Sequence, residues 1–150
     1  MIDLEWQQML QHFMHLGIAF LLAVPVAVNR ELRSRGAGLR TFPLVSMASC
    51  GYMLLAMQVY SGSDAEARVM YGLITGIGFI GGGAILKNGG DVSGTATAAS
   101  IWNTGAIGVS VAYGYYEIAI TLSLMNFLVL QFFTALKPDR ETKATNEQGD

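Results

Sequence analysis

Apolar residues fall in five blocks, and none of the blocks alternates with polar positions. They run roughly over residues 9–28, 42–60, 69–86, 95–113 and 116–136. A helix that crosses a bilayer needs about 20 apolar residues, with a range of about 17 to 25. Each block meets or approaches that length. The strands of a membrane barrel would be shorter and would alternate in polarity. In lipid every backbone amide must find its partner inside the segment, so the blocks predict helices. Only Gly114 and Tyr115 separate the last two blocks. A single span of about 40 residues is too long, so a tight turn is expected at Gly114. The expected fold class is all-α: a polytopic membrane protein with five transmembrane helices within residues 1–136. The tail 137–150, KPDRETKATNEQGD, is polar and expected to be disordered.

The polar breaks set an orientation. The break after the first block carries Arg30, Arg33, Arg35 and Arg40; the third break carries Lys87; the tail carries Lys137, Arg140 and Lys143. These alternate breaks hold eight of the nine basic residues, and Arg68 is the exception. Basic loops stay in the cytoplasm. The N-terminus, with Asp3 and Glu5, is then expected outside and the C-terminus inside. Trp6, Tyr60, Tyr113, Tyr115 and Tyr116 fit an outer aromatic belt.

Composition sharpens this reading. Hydrophobic residues make up 52% of the 150 and charged residues 13%, too few charges to cover a soluble surface. The net charge of −2 argues against nucleic acid as a partner. The lipid bilayer is the expected environment, and a bacterial inner (plasma) membrane the expected location. MIDLEWQQ lacks the basic start and cleavage site of a signal peptide, so the first block reads as a retained anchor. The single Cys50 has no second thiol for a disulfide or a metal. His12 and His15 share a helix face, but a metal would need a third ligand and Asp3 and Glu5 are the only nearby acids, so no metal is expected there. No nucleophile, base or cofactor set emerges, and no enzyme is expected.

Candidate chemistry concentrates between Tyr71 and Asn103. Nine of the 18 glycines fall between Gly72 and Gly94. Gly76, Gly78 and Gly81 spell GxGxxG, but the strand, helix and distant acid of a dinucleotide site are missing. Gly72/Gly76 and Gly78/Gly82 are small residues four apart, a spacing that lets membrane helices approach closely. A face of Gly72, Gly76 and Gly82 is expected to pack on another helix, in the same chain or across a homo-oligomer such as a dimer. The run Gly81, Gly82, Gly83 weakens the helix by about 1 kcal/mol per residue. Tight packing is one reading of it; a broken helix offering carbonyls to an ion is the other. The break 87–94 reads as a turn, with Lys87 capping the third helix and Asp91 before the fourth. Thr97, Ser100, Thr104 and Gly108 then share one small, polar helix face, with Asn103 beside it. The bland reading is hydrogen bonding to their own helix or a neighbour. The sharper one is a polar path between helices three and four.

Three ordered motifs carry a resemblance. They are Ala37-Gly38-Leu39-Arg40-Thr41, then GIGFIGGGAI at 76–85, then GTATAASIW from Gly94 to Trp102, with Ala106-Ile107-Gly108 following. Together they resemble the bacterial MgtC/SapB membrane family over roughly residues 17 to 135. Arg30, Gly38, Leu39, Arg40, Thr41, Gly94 and Trp102 are the matching motif positions. Many relatives carry Gly-x-Glu-Arg where this chain has Ala27, Val28, Asn29 and Arg30. They also carry Arg where it has Ser93, and Asn or Thr where it has Ala96. The resemblance implies a five-helix inner-membrane protein that serves adaptation to low magnesium or related envelope stress. It also implies regulation through membrane-protein partners rather than catalysis, as in virulence-related members that add a soluble C-terminal domain. The expected function is therefore a regulator acting by helix contact; a small ion or solute channel is the alternative.

Overall fold

The computed structural model describes residues 5–33, 36–88 and 91–133. The expected tail lies outside the described residues. Five helices form: α1 (Trp6–Arg33), α2 (Thr41–Val59), α3 (Ser63–Gly83), α4 (Thr95–Ala112) and α5 (Tyr116–Phe132). Two short strands, β1 (Leu86–Asn88) and β2 (Asp91–Ser93), pair antiparallel between α3 and α4, Lys87 opposite Val92. The all-helical expectation thus needs one correction. The break at 87–94 is a hairpin, and Lys87 and Asp91 are strand residues rather than helix caps.

Two boundaries differ from the apolar blocks for physical reasons. The polar stretch 63–68 forms the first turns of α3, because Asp64 and Glu66 favour its positive end. At its other end α3 stays helical through Gly81 and Gly82 and stops at Gly83. The glycine run therefore terminates the helix instead of breaking it midway. Gly114, with φ of +75°, makes the tight turn between α4 and α5. α1 and α2 are long and apolar enough to cross a membrane, and α5 is a shorter apolar helix.

α4 is the central helix. It packs on α2, α5, α3 and α1, and it buries nine residues, most of them small. Small side chains are what permit this closeness. A Cβ on Gly108 would run into the Ser46 carbonyl of α2 and come within 2.9 Å of Ser49 Cβ. A Cβ on Gly105 would collide with Ile77 of α3. One apolar cluster gathers Ala19, Cys50, Met53, Ile107, Val111 and Ala119. A second joins Val26, Ala27, Phe42, Ile77, Ile101 and Leu130 near the arginine-rich end. α3 lies at the edge, held chiefly by α4 and α2.

At the opposite end, polar ties replace apolar ones. His12 Nε2 meets the Gln58 amide at 2.9 Å, and Tyr116 meets His15 at 3.3 Å. The Tyr113 hydroxyl donates to Glu66 at 2.8 Å and links the end of α4 to the start of α3.

Candidate functional site

The hairpin gives the α3–α4 unit its shape. Gly94 caps α4 with φ of +81°, a conformation that side chains disfavour. A Cβ there would also meet the Ala84 carbonyl. Gly94 therefore reverses the chain tightly, so that α4 starts beside the end of α3. Gly81 completes the contact: its Cα faces Ala98 of α4, and a Cβ would sit 3.2 Å from the Ala98 carbonyl oxygen.

The other α3 glycines have no such neighbour. A Cβ on Gly72, Gly76, Gly78, Gly82 or Gly83 meets nothing within 4 Å. Nor do they form one face. At 100° per residue, Gly72, Gly76 and Gly83 lie within about 40° of one another, whereas Gly78 and Gly82 lie on the opposite flank. The expected Gly72/Gly76/Gly82 face is therefore two flanks, and neither packs within the chain. Beside Gly78 and Gly82 stand Tyr71 and Ile74, 76% and 44% exposed. Phe79, 86% exposed, lies nearer the other flank. That flank, with Gly72 and Gly76, borders a cleft of about 670 Å³ between α2 and α3. Arg40, Thr41, Leu44, Val45, Ala48 and Leu73 also line it.

The polar residues of α4 point elsewhere. Thr97, Ser100 and Thr104 are buried. The Ser100 hydroxyl donates to Asn126 Oδ1 of α5 at 3.1 Å, and Asn103 Nδ2 donates to the Leu122 carbonyl at 3.2 Å. Thr104 bonds back to the Ser100 carbonyl at 2.7 Å. Ser100 and Asn103 thus tie α4 to α5 and do not line a path between α3 and α4. The reading that hydroxyls and amides serve their own helix or a neighbour fits this geometry. Trp102 is 57% exposed and points away from the bundle.

The first family motif builds a corner. The Glu31 carboxylate accepts the Leu39 N–H at 2.9 Å, and a Cβ on Gly38 would collide with that carboxylate. Gly38 in turn accepts the N–H groups of Thr41 and Phe42 and starts α2. Arg30, read from sequence as part of the polar break after the first block, is 8% exposed, because α1 continues to Arg33 and its last turn packs near the end of α5. Arg40 is exposed.

A buried polar set escaped the sequence reading. Asn29, 4% exposed, donates from Nδ2 to Gln131 Oε1 at 3.0 Å, and Arg33 donates to the same oxygen at 3.1 Å. Ser123 donates to the Leu22 carbonyl at 2.6 Å. Among the described residues Asn29 Oδ1, Ser46 Oγ and Asn126 Nδ2 are buried without a hydrogen-bond partner. The available signal was a lone amide inside an apolar block, costly in lipid and a functional candidate by default. Asn126 and Gln131 in the fifth block are such residues.

An edge helix with two bare glycine flanks thus borders a bundle in which two helices, α1 and α2, are membrane-capable. The chain belongs to the MgtC family, whose model matches residues 16–138. It is 35% identical over 134 residues to YhiD of Escherichia coli K12, provisionally named a magnesium transporter, covering 84% of this chain and 62% of YhiD. It is 32% identical over 121 residues to MgtC of Salmonella typhimurium, covering 81% of this chain and 52% of MgtC. With SrpB of Synechococcus elongatus it shares 32% identity over 133 residues, covering 80% of this chain and 73% of SrpB. No solved structure matches it.

Proposed function

We propose that this protein is a multi-pass inner-membrane regulator, active in magnesium-related or envelope-stress adaptation, that works by docking a partner's membrane helix on the outer flank of α3. The observation that carries this reading is the bare flank of Gly78 and Gly82 beside exposed Tyr71 and Ile74. Glycines cost helix stability wherever they are not needed for close approach. In lipid, small residues four apart are where helices meet. The arginine-rich break and Lys87 set the inner side, with the N-terminus outside. Exposed apolar side chains such as Phe13, Leu32 and Phe79 suit a lipid surround. The magnesium link comes from the name of YhiD. The reading is non-enzymatic and invokes no cofactor.

The test is a pull-down from native membranes, comparing the wild-type chain with Gly78→Leu and Gly82→Leu. The expected outcome is a co-purifying membrane protein, or a second copy of this chain, that both variants lose while staying folded. Equal capture by all three chains would sink the docking flank. The channel reading predicts instead that purified protein passes ions into liposomes. The polar residues of α4 give that reading little support, because Ser100, Asn103 and Thr104 spend their hydrogen bonds on α4 and α5.

A further inference from the structure

The cleft between α2 and α3 carries its one charged side chain at one end, and Tyr52 lines the other. Arg40 and Thr41 line the charged end. Leu44, Val45, Ala48, Leu73 and Ile77 line the remainder, with bare Gly72 and Gly76 along one wall. Ser49 also borders it, but its hydroxyl is already donated to the Val45 carbonyl at 2.7 Å. From Arg40 to Tyr52 the cleft follows α2 for about 18 Å, at 1.5 Å per residue. That is close to one leaflet's share of a hydrocarbon core about 30 Å thick. We infer that this cleft is a binding site for one anionic phospholipid of the cytoplasmic leaflet. Its headgroup phosphate sits at Arg40 and Thr41, and one acyl chain lies along the wall of Gly72 and Gly76.

Charge and shape both select this occupant. A guanidinium binds phosphate through paired, charge-assisted hydrogen bonds. Arg40 is exposed, and the neighbouring carboxylate, Glu31, is turned to the Leu39 N–H. Basic residues at the cytoplasmic end of a span favour anionic lipid. A free phosphate would satisfy Arg40 and leave the apolar length unfilled. A partner helix would need its own acid placed against Arg40. An acyl chain needs only the smooth wall that the two glycines leave.

The inference rests on the bilayer placement proposed above, so two measurements are made together. Native mass spectrometry of the detergent-solubilised full chain is run with phosphatidylglycerol and with phosphatidylcholine of the same acyl chains. Thiol labelling of Gly36→Cys reports which side the α1–α2 corner faces. The expected result is one retained phosphatidylglycerol, preferred over phosphatidylcholine. Affinity should fall about tenfold in Arg40→Gln and fall similarly in Gly76→Leu, which fills the cleft but keeps the guanidinium. Lys87→Gln, a charge removed on the same side, should leave binding unchanged. Circular dichroism and the melting temperature check that each variant is folded. Equal retention of both lipids, full affinity in folded Arg40→Gln and Gly76→Leu, equal competition by glycerol phosphate alone, or a protein segment displacing the lipid would each overturn the site. Inside-only labelling with no retained phosphatidylglycerol defeats the lipid site alone. Labelling from outside defeats the bilayer placement and the leaflet assignment with it.

Discussion

At the scale of single residues, the glycines divide into those the fold requires and those it does not. Gly108 faces the Ser46 carbonyl and cannot carry a side chain without moving α2, whereas a Cβ on Gly105 meets the tip of the Ile77 side chain, which would have to turn aside. Gly108→Val should lower stability by about 1–3 kcal/mol, the usual cost of overpacking, read as a lower melting temperature in detergent. Gly82→Ala should be neutral or stabilising, by up to about 1 kcal/mol, since nothing lies within 4 Å of it. Gln131 accepts from both Asn29 and Arg33. Gln131→Leu should therefore destabilise by about 1 kcal/mol or more, because the buried Asn29 amide then loses the acceptor it has among the described residues. Gln131→Glu should keep most of the stability, as a carboxylate still accepts both bonds; equal melting temperatures for all three chains would remove that role. The sequence made the glycines conspicuous but could not sort them. Spacing alone put Gly72, Gly76 and Gly82 together, and only the helical phase separates them. Asn29 was visible as a departure from the family pattern, yet its pairing with Gln131, 102 positions away, is a tertiary fact.

At the scale of elements, α3 was the hardest to read and matters most. Its apolar block begins at residue 69, but the helix begins at Ser63, where Asp64 and Glu66 stabilise a polar first turn outside the apolar run. Its block runs to residue 86, but the helix stops at Gly83 because three glycines cannot sustain it and Leu86 joins a strand. In the sequence the hairpin β1–β2 shows only as a turn, since three-residue strands carry no periodic signal. Gly94 enforces that hairpin's return to α4. Gly94→Ala should loosen the α3–α4 unit, seen as faster amide exchange at the start of α4, because a positive φ and the Ala84 carbonyl both oppose a Cβ. The small polar face of α4 was legible as a face, but not its target. Periodicity says which residues share a side, and only packing says that α5 covers it.

At the scale of the whole molecule, five apolar blocks became five helices, with Gly114 turning the chain between the last two. This part was legible because long apolar blocks without alternation mark helices rather than strands. Which helix lies at the centre was not, because α4 wins that place through small residues whose value appears only against α2. The same logic leaves α3 at the edge with two bare flanks, one beside a cleft and one facing outward. The central claim is that the outward flank docks a membrane helix. A photo-crosslinking residue placed at Ile74, between Tyr71 and Gly78 on that flank, tests it most directly in living cells. The account predicts one discrete protein adduct, a partner or a second copy, that Gly82→Leu abolishes while a crosslinker at Trp102 yields none. Adducts to lipid alone, or a protein adduct that survives Gly82→Leu unchanged, would contradict it.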